Sequence, residues 1–135
     1  MAHFARVDEN NVVTFVSTCD NNLLLENDVE VRDNQRAINH LNATVPNEIA
    51  PGVKWIQTSY NNSFRKMYAG IGCLYSEEGD VFYGIQPHAS WTLDVNYDWQ
   101  PPIPMPDDAG PEKIYNWDED VYQSDNTTGW VVYTT

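Results

Sequence analysis

Four short segments of this chain share one pattern: an aromatic strand, a turn rich in acidic residues or asparagine, and a second aromatic strand. The segments are "HFARVDENNVVTFV" (residues 3–16), "GCLYSEEGDVFYGI" (72–85), "SWTLDVNYDWQ" (90–100) and "IYNWDEDVYQSDNTTGWVVYTT" (114–135). Val, Thr and aromatic residues favour strands, whereas Asp, Asn and Gly tolerate the backbone conformations of tight turns. The pattern therefore predicts four β-hairpins.

These hairpins predict a mainly β fold, a small sheet or sandwich of short hairpins, because a lone two-stranded hairpin is marginal in water and must pack against something else. One short helix is predicted near residues 33–43, within "RDNQRAINHLNA". Asp33 or Asn34 serves as its cap, and a short apolar stripe ends at Leu41.

A proline-rich segment, "PPIPMPDDAGP" at residues 101–111, holds five of the 8 prolines. Proline cannot donate a backbone hydrogen bond, so this segment is expected to run extended, near polyproline II. We expect it to act as an arm that separates a C-terminal aromatic hairpin, residues 112–135, from a hairpin-based β domain at residues 1–100. The alternative is a loop held on the core by Ile103 and Met105.

The stretch "VKWIQTSYNNSFRKMYAGIG", residues 53–72, has the highest density of aromatic residues. Four of its residues are expected to fill the core between the hairpins: Trp55, Tyr60, Phe64 and Tyr68. The stretch also holds Arg65 and Lys66, the only adjacent basic pair in the chain. On a strand these two side chains would point to opposite faces. We predict that one of them pairs with the surrounding acidic residues.

The charge balance restricts the class of partner. Twenty acidic residues stand against 7 basic ones, a formal net charge of −13. Nucleic acid is not expected as a partner, because binding a duplex requires Lys and Arg to replace its counterions. An anionic membrane would be repelled in the same way, whereas a basic protein surface would be attracted. No signal peptide or transmembrane segment is expected, because no long apolar run occurs.

No catalytic motif is present, and the chain is not expected to be an enzyme or to bind a cofactor. Two acidic runs, Asp107-Asp108 and Asp118-Glu119-Asp120, supply the oxygen ligands that calcium prefers. Neither run has the spacing or the glycine of a calcium loop, and consecutive residues on a strand face opposite ways. We therefore expect solvated turns and no metal site.

The aromatic residues of the tail lie in a hairpin too small to bury them alone. They are expected either to form an interface, since Trp, Tyr and Arg are enriched in interface hot spots, or to join a core. The candidate interface residues are Trp117, Trp130, Tyr115, Tyr133, Ile103 and Met105. An alternative use of exposed rings is a platform for carbohydrate, for which the candidates are Trp91, Trp99, Trp117 and Trp130.

Four blocks of the chain resemble, in the same order, a family of small proteins encoded by tailed phages of cyanobacteria and other aquatic bacteria. The blocks are "MAHFARVDENNVV", "WIQTSYNNSFRKMYAGIG", "FYGIQPHASWTLDVNYDWQPPIPMP", and "YNWDED" followed by "WVV". The resemblance covers most of residues 1–18 and 53–132. Residues 20–50 and the "SDNTTG" extension of the last hairpin depart from the family pattern.

The resemblance implies a structural role in the virion, and it provides no catalytic or cofactor residues. The leading expectation is a non-enzymatic accessory protein, made in the host cytoplasm and incorporated into the virion as a head decoration or cement protein on the major capsid protein. The alternatives are a tail, neck or fibre component, a host-glycan-binding module, and an assembly factor absent from the mature particle.

Overall fold

The predicted hairpins are present in the structure, a computed structural model that describes residues 1–134. The fold is mainly β, as predicted, and its antiparallel sheets have two or three short strands. The chain divides into two units, Met1–Ile85 (unit 1) and the residues from Gln86 onward (unit 2).

Unit 1 contains, in chain order, β1 (Ala2–Val7), β2 (Val13–Cys19), a short 3-10 helix (Asn21–Leu24), β3 (Leu25–Glu26), β4 (Val29–Glu30), α1 (Gln35–Thr44), β5 (Lys54–Thr58), β6 (Leu74–Ser76) and β7 (Val81–Tyr83). Unit 2 contains β8 (Thr92–Leu93), β9 (Trp99–Gln100), β10 (Lys113–Trp117), α2 (Glu119–Ser124) and β11 (Trp130–Thr134). The four predicted hairpins correspond to β1–β2, β6–β7, β8–β9 and β10–β11.

The central sheet of unit 1 has the strand order β2-β1-β5 and buries residues on both of its faces. Side chains alternate along β1, so Phe4 packs with Leu41 and Trp55 on one face, whereas Val7 packs with Phe82 on the other. Burying one such aliphatic or aromatic side chain contributes roughly 1.5–3 kcal/mol. The two apolar clusters therefore supply most of the stability that unit 1 gains from its short strands.

The turn between β1 and β2 is organised by its acidic residue. The Oδ1 atom of Asp8 accepts hydrogen bonds from the backbone N–H groups of Asn10 (2.8 Å) and Val12 (3.0 Å). Asn11 adopts the left-handed conformation, with φ of 61°, which Asn tolerates better than most residues. The acidic, Asn-rich composition of this turn thus has a direct structural role.

The predicted helix is α1, and Asn34 is its cap. The Asn34 side chain accepts the N–H of Arg36 at 2.9 Å and donates to the carbonyl of Leu24, also at 2.9 Å. Asn34 is buried, so both hydrogen bonds satisfy groups that water does not reach. The helix packs through Leu41 against the β1 face that carries Phe4.

The prediction that four aromatic residues of the central stretch fill the core is correct only for Trp55. The prediction is wrong for Tyr60, whose relative exposure is 72%. Phe64 and Tyr68 are half-buried. Strand β5 ends at Thr58 and the predicted turn follows it, so the alternation that buries Trp55 does not continue to Tyr60.

The basic pair in the same stretch does not lie on a strand. Arg65 and Lys66 have φ values of 54° and 70°, in the left-handed region, so the expectation of opposite strand faces is wrong. The predicted pairing with acidic residues is confirmed for Arg65, which forms ion pairs with Asp33 and Asp80.

A second helix, α2, lies where the sequence predicts only the turn of the last hairpin. Asp118 caps it, and its side chain accepts the N–H of Val121 at 3.1 Å. Glu119 and Asp120 occupy the first turn, where negative charge interacts favourably with the helix dipole. The acidic run that has the oxygen atoms of a calcium ligand set is therefore a helix start.

The boundary between the two units differs from the expected one. The sequence places the boundary after residue 100, whereas the structure places it after Ile85. The β8–β9 hairpin therefore belongs to the same unit as the C-terminal hairpin.

The proline-rich segment, residues 101–111, is also part of unit 2 and does not stand apart from the C-terminal hairpin. The indole Nε1 of Trp130 donates to the carbonyl of Ile103 at 2.8 Å. Asp108 pairs with Lys113 at the start of β10. These contacts hold the segment against the hairpin, although Met105, which the loop alternative places on the core, is 47% exposed.

Candidate interaction surface

The C-terminal ribbon, formed by β10 and β11, has two faces with different surroundings. Its register pairs Trp117 with Trp130 on one face and Ile114 with Tyr133 on the other. Trp117 is 9% exposed, whereas Ile114 and Tyr133 are 47% and 57% exposed. The Trp117 end of one face is therefore internal to unit 2, although Val132 on that face is 42% exposed, and the Ile114–Tyr133 pair on the other face is open to solvent.

The internal face is an aromatic cluster. The rings of Trp117 and Trp130 meet edge to face, with centroids 5.3 Å apart and an interplanar angle of 78°. Trp91 lies 6.1 Å from Trp117 and 6.3 Å from Trp130, and Tyr122 from α2 lies 5.3 Å from Trp117. These separations are typical of favourable aromatic pairs. The cluster joins the ribbon, α2 and the segment before β8.

The carboxylate of Glu119 fixes the position of this cluster. It accepts hydrogen bonds from the Ser90 hydroxyl (2.6 Å), the Trp117 indole (2.9 Å) and the Gln123 amide (2.8 Å). In that order of importance, these donors lower the pKa of Glu119 to about 2. Glu119 is therefore ionised at neutral pH and acts as a fixed acceptor at the start of α2.

The indole N–H of Trp91 differs from those of Trp117 and Trp130, which both donate a hydrogen bond. Its Nε1 atom is buried and has no hydrogen-bond partner among the residues that the structure describes. A buried donor without a partner costs about 1–3 kcal/mol. Packing of Trp91 against two other indoles offsets that cost.

The open face of the ribbon carries the candidate interaction surface, which we define as Ile114 and Tyr133 together with Asn116 and Val131. Ile114 lies directly across from Tyr133, and Asn116 across from Val131. Cross-strand neighbours on one face are close enough to present a continuous surface. The exposed Ile114–Tyr133 pair offers apolar area that a protein partner can bury, and Tyr is a residue type enriched in interface hot spots.

The charge of unit 2 restricts what could bind this surface. From residue 86 to the end of the sequence there are nine acidic residues and one basic residue, Lys113, a formal charge of −8. Lys113 is itself paired with Asp108. The ribbon therefore presents apolar side chains within a strongly negative field, which favours a basic partner.

The six predicted interface residues divide into supporting and exposed groups. Trp117 is buried, so its assignment to a surface is a correction, and Trp130 is half-buried beside it. Tyr115 and Ile103 are also half-buried, and the Tyr115 hydroxyl donates to Asp108 at 2.7 Å. Tyr133 and Met105 are exposed.

Three of the four tryptophans proposed for a carbohydrate platform lie in one aromatic cluster. Trp91, Trp117 and Trp130 pack on one another with tilted or edge-to-face rings. Trp99 lies on β9. A stacking platform requires exposed ring faces, which this cluster does not provide.

Ile114 is the functional candidate that sequence reasoning missed. It lies between Lys113 and Tyr115 in the sequence. Strand alternation places Ile114 and Trp117 on opposite faces, but it does not predict which face is open to solvent. Only the pairing with Tyr133 and the burial of the tryptophan face reveal that it is exposed. A prediction of which ribbon face packs on α2 would have been needed to find it.

Two other classes of site are not seen within residues 1–134. No group of three or more His, Cys, Asp or Glu side chains in this range is arranged to hold a metal ion. No described helix combines the length and the apolar composition needed to cross a membrane.

Comparisons with protein-family models, with curated proteins and with solved structures find no match. Function is therefore inferred from the surface of the molecule and from the sequence blocks described above.

Proposed function

We propose that this protein is a non-enzymatic accessory protein of a phage particle, a head decoration or cement protein that docks on the major capsid protein. It is made in the host cytoplasm and resides in the virion. The observation that carries this proposal is the exposed Ile114–Tyr133 pair on a ribbon within an acidic unit.

The apolar pair supplies affinity. Burying the exposed parts of Ile114 and Tyr133 on docking contributes about 2 kcal/mol. That energy is too small for a tight single contact, because association also costs translational and rotational freedom. Many identical sites on a symmetric shell make such a contact effective.

The negative charge of unit 2 determines which class of partner is attracted. Unit 2, with its formal charge of −8, is attracted to a basic protein surface and is repelled by nucleic acid or an anionic membrane. Attraction between exposed charges is screened by salt. Docking is therefore expected to weaken as the salt concentration rises.

Quantitative mass spectrometry of purified particles tests the proposal. A decoration protein is present in hundreds of copies, whereas a tail or neck component has about six to eighteen, because closed symmetry sets the number of sites. A copy number of about six to eighteen would instead support a role in the tail or neck. Complete absence from the particle would overturn every virion role.

A variant tests the surface itself. The double substitution Ile114→Ser and Tyr133→Ser is expected to reduce the copies bound to particles that lack the protein by about thirtyfold, the equivalent of 2 kcal/mol. The matched control is Val95→Ser, which removes an apolar side chain with 92% exposure from another part of unit 2. Equal binding by the double variant and the control would exclude this face as the docking surface.

A further inference from the structure

Unit 1 carries a second exposed aromatic feature, which the ribbon surface does not use. The rings of His3 and Tyr60 are stacked, with centroids 5.3 Å apart and an interplanar angle of 25°. Tyr68 meets both of them edge-on, at 5.6 Å from each. We call these three residues the tyrosine ridge, and its most exposed large ring is that of Tyr60, which is 72% exposed.

The ridge is held in place by hydrogen bonds from the turn that follows β5. Asn62 is in the left-handed conformation, with φ of 59°, and its Oδ1 atom accepts the N–H of Tyr68 at 2.6 Å. The Ser59 hydroxyl accepts the N–H of Ser63 at 2.8 Å. This turn therefore fixes Tyr68 beside Tyr60 before any ligand is present, which lowers the entropy cost of binding.

Beside the ridge lies an open groove of about 290 Å³, close to the lower size limit of small-molecule sites. Its polar lining includes the side chains of Asn21, Glu30, Gln57 and Asn61. The Glu30 carboxylate, the Asn21 amide and the Tyr60 hydroxyl make no hydrogen bond to any residue within 1–134. They are available to a ligand as donors and acceptors.

Three features of this site restrict the ligand. Glu30 and the net charge of −13 disfavour an anion. The three rings contact one another, so they leave no gap in which a cation could be surrounded, as an aromatic cage requires. The groove is lined mainly by residues with amide, hydroxyl and carboxylate groups, and its apolar lining residues are Met1, Ala2, Leu24 and Phe64. Recognition of a proline-rich peptide instead needs apolar pockets between aromatic rings.

We propose that the tyrosine ridge and its groove bind a neutral saccharide. The apolar face of a pyranose ring packs on the exposed face of Tyr60, and its hydroxyls exchange hydrogen bonds with Asn21, Glu30 and Asn61. An aromatic ring next to amide and carboxylate groups matches a ligand that has one apolar face and a polar rim. This site lies in unit 1, and the proposal does not depend on docking through the ribbon.

Saturation-transfer NMR on the full chain tests this proposal with three neutral probes: maltohexaose, cellohexaose and chitotriose. Transfer from protein to sugar ring protons is expected for at least one probe. Tyr60→Ala is expected to reduce that transfer by about tenfold or more, as for the loss of a central aromatic contact. Tyr60 is exposed, so this variant is expected to keep the circular dichroism spectrum of the native chain.

The matched control is Tyr133→Ala, which removes an exposed tyrosine from unit 2 and is expected to leave the transfer unchanged. Absence of transfer with all three probes would overturn the proposal. Equal transfer in the native chain and in Tyr60→Ala would also overturn it, because the sugar would then bind elsewhere. Loss of capsid docking in Tyr133→Ala with retained sugar transfer would separate this site from the ribbon surface.

Discussion

Arg65 connects three segments of unit 1 that are far apart in the sequence. Its guanidinium forms two hydrogen bonds with Asp33, at 2.8 Å and 2.5 Å, and one with Asp80 at 2.8 Å. It also donates to the carbonyl of Gln57 at 2.9 Å. Burial lowers the pKa of Arg65, but the pairs with Asp33 and Asp80 outweigh burial and raise it. The Arg65 guanidinium is therefore fully partnered and largely buried, whereas its two carboxylate partners remain partly exposed.

Replacing Arg65 is expected to destabilise the protein. The Arg65 side chain is only 9% exposed, so Arg65→Met leaves Asp33 and Asp80 without their partner. Breaking a buried pair costs about 3–5 kcal/mol, and the partial exposure of both carboxylates reduces this to about 2 kcal/mol. Urea unfolding measures the loss. A loss below about 0.5 kcal/mol, as for an ordinary surface substitution, would contradict this role of Arg65.

Tyr75 belongs to the same network, and its ionisation at high pH can be measured. Burial, and then its 2.5 Å hydrogen bond to Asp80, raise the pKa of Tyr75 from 10.0 to about 12. The folded state therefore holds this proton more tightly than the unfolded state does. The stabilisation is complete below pH 10.0 and is lost as the pH rises toward about 12.

A spectrophotometric titration of the 8 tyrosines tests this prediction. A late ionisation step near pH 12 is expected from Tyr75, and Tyr75→Phe is expected to remove that step. If the titration curve of Tyr75→Phe kept the late step, the shifted group would be a different tyrosine. Tyr60→Phe is the control, because Tyr60 is exposed.

At the scale of the elements, the junction between α2 and β11 depends on a glycine. Gly129 is buried, and its carbonyl accepts the N–H of Asp118 at 2.8 Å. A Cβ atom at this position would lie 2.4 Å from the Trp117 ring, closer than any real contact. Only glycine allows β11 to approach the indole, so the close packing of the tryptophan face depends on it.

Gly129→Ala is expected to lower the stability of unit 2 by about 1–3 kcal/mol, because the ring or the strand must move to make room. Thermal unfolding followed by tryptophan fluorescence measures the effect. Gly110→Ala is the matched control: a Cβ atom there would have no neighbouring atom within 4 Å, so a change near zero is expected. An unchanged stability of Gly129→Ala would contradict the close contact between Gly129 and the Trp117 ring.

At the scale of the whole molecule, the division after Ile85 predicts how truncated chains behave. A chain that ends at residue 85 retains both apolar clusters of unit 1 and is expected to unfold cooperatively. A chain that ends at residue 111 keeps Trp91 but loses Trp117 and Trp130, so its Trp91 is expected to become exposed.

Fluorescence emission distinguishes these two chains. The first has Trp55 as its only tryptophan, which is expected to emit as a buried indole. The second also holds Trp91 and Trp99, and it is expected to show an additional red-shifted component that Trp91→Phe reduces. Loss of cooperative unfolding in the shorter chain would show that unit 1 needs residues beyond 85.

Sequence patterns were sufficient for features that depend on neighbouring residues. The β1–β2 hairpin follows from alternation and from an Asp that can bind the turn backbone, and α1 follows from Asn34 as a cap. The patterns failed where burial depends on distant residues. Tyr60 and Trp117 are both aromatic residues next to predicted turns, yet the first follows the end of β5 and is exposed, whereas the second lies within β10 and is buried.

Local sequence was enough to specify the mainly β class, the hairpins, the helix α1 and the acidic field, because these depend on backbone preference and on summed charge. Contacts between distant segments were needed to establish that Arg65 reaches Asp33 and Asp80, that Ile114 and Tyr133 share an open face, and that three rings form a ridge beside a groove. The physical reason is that burial and pairing are set across long sequence separations. No local pattern specifies which of two strand faces those contacts will cover.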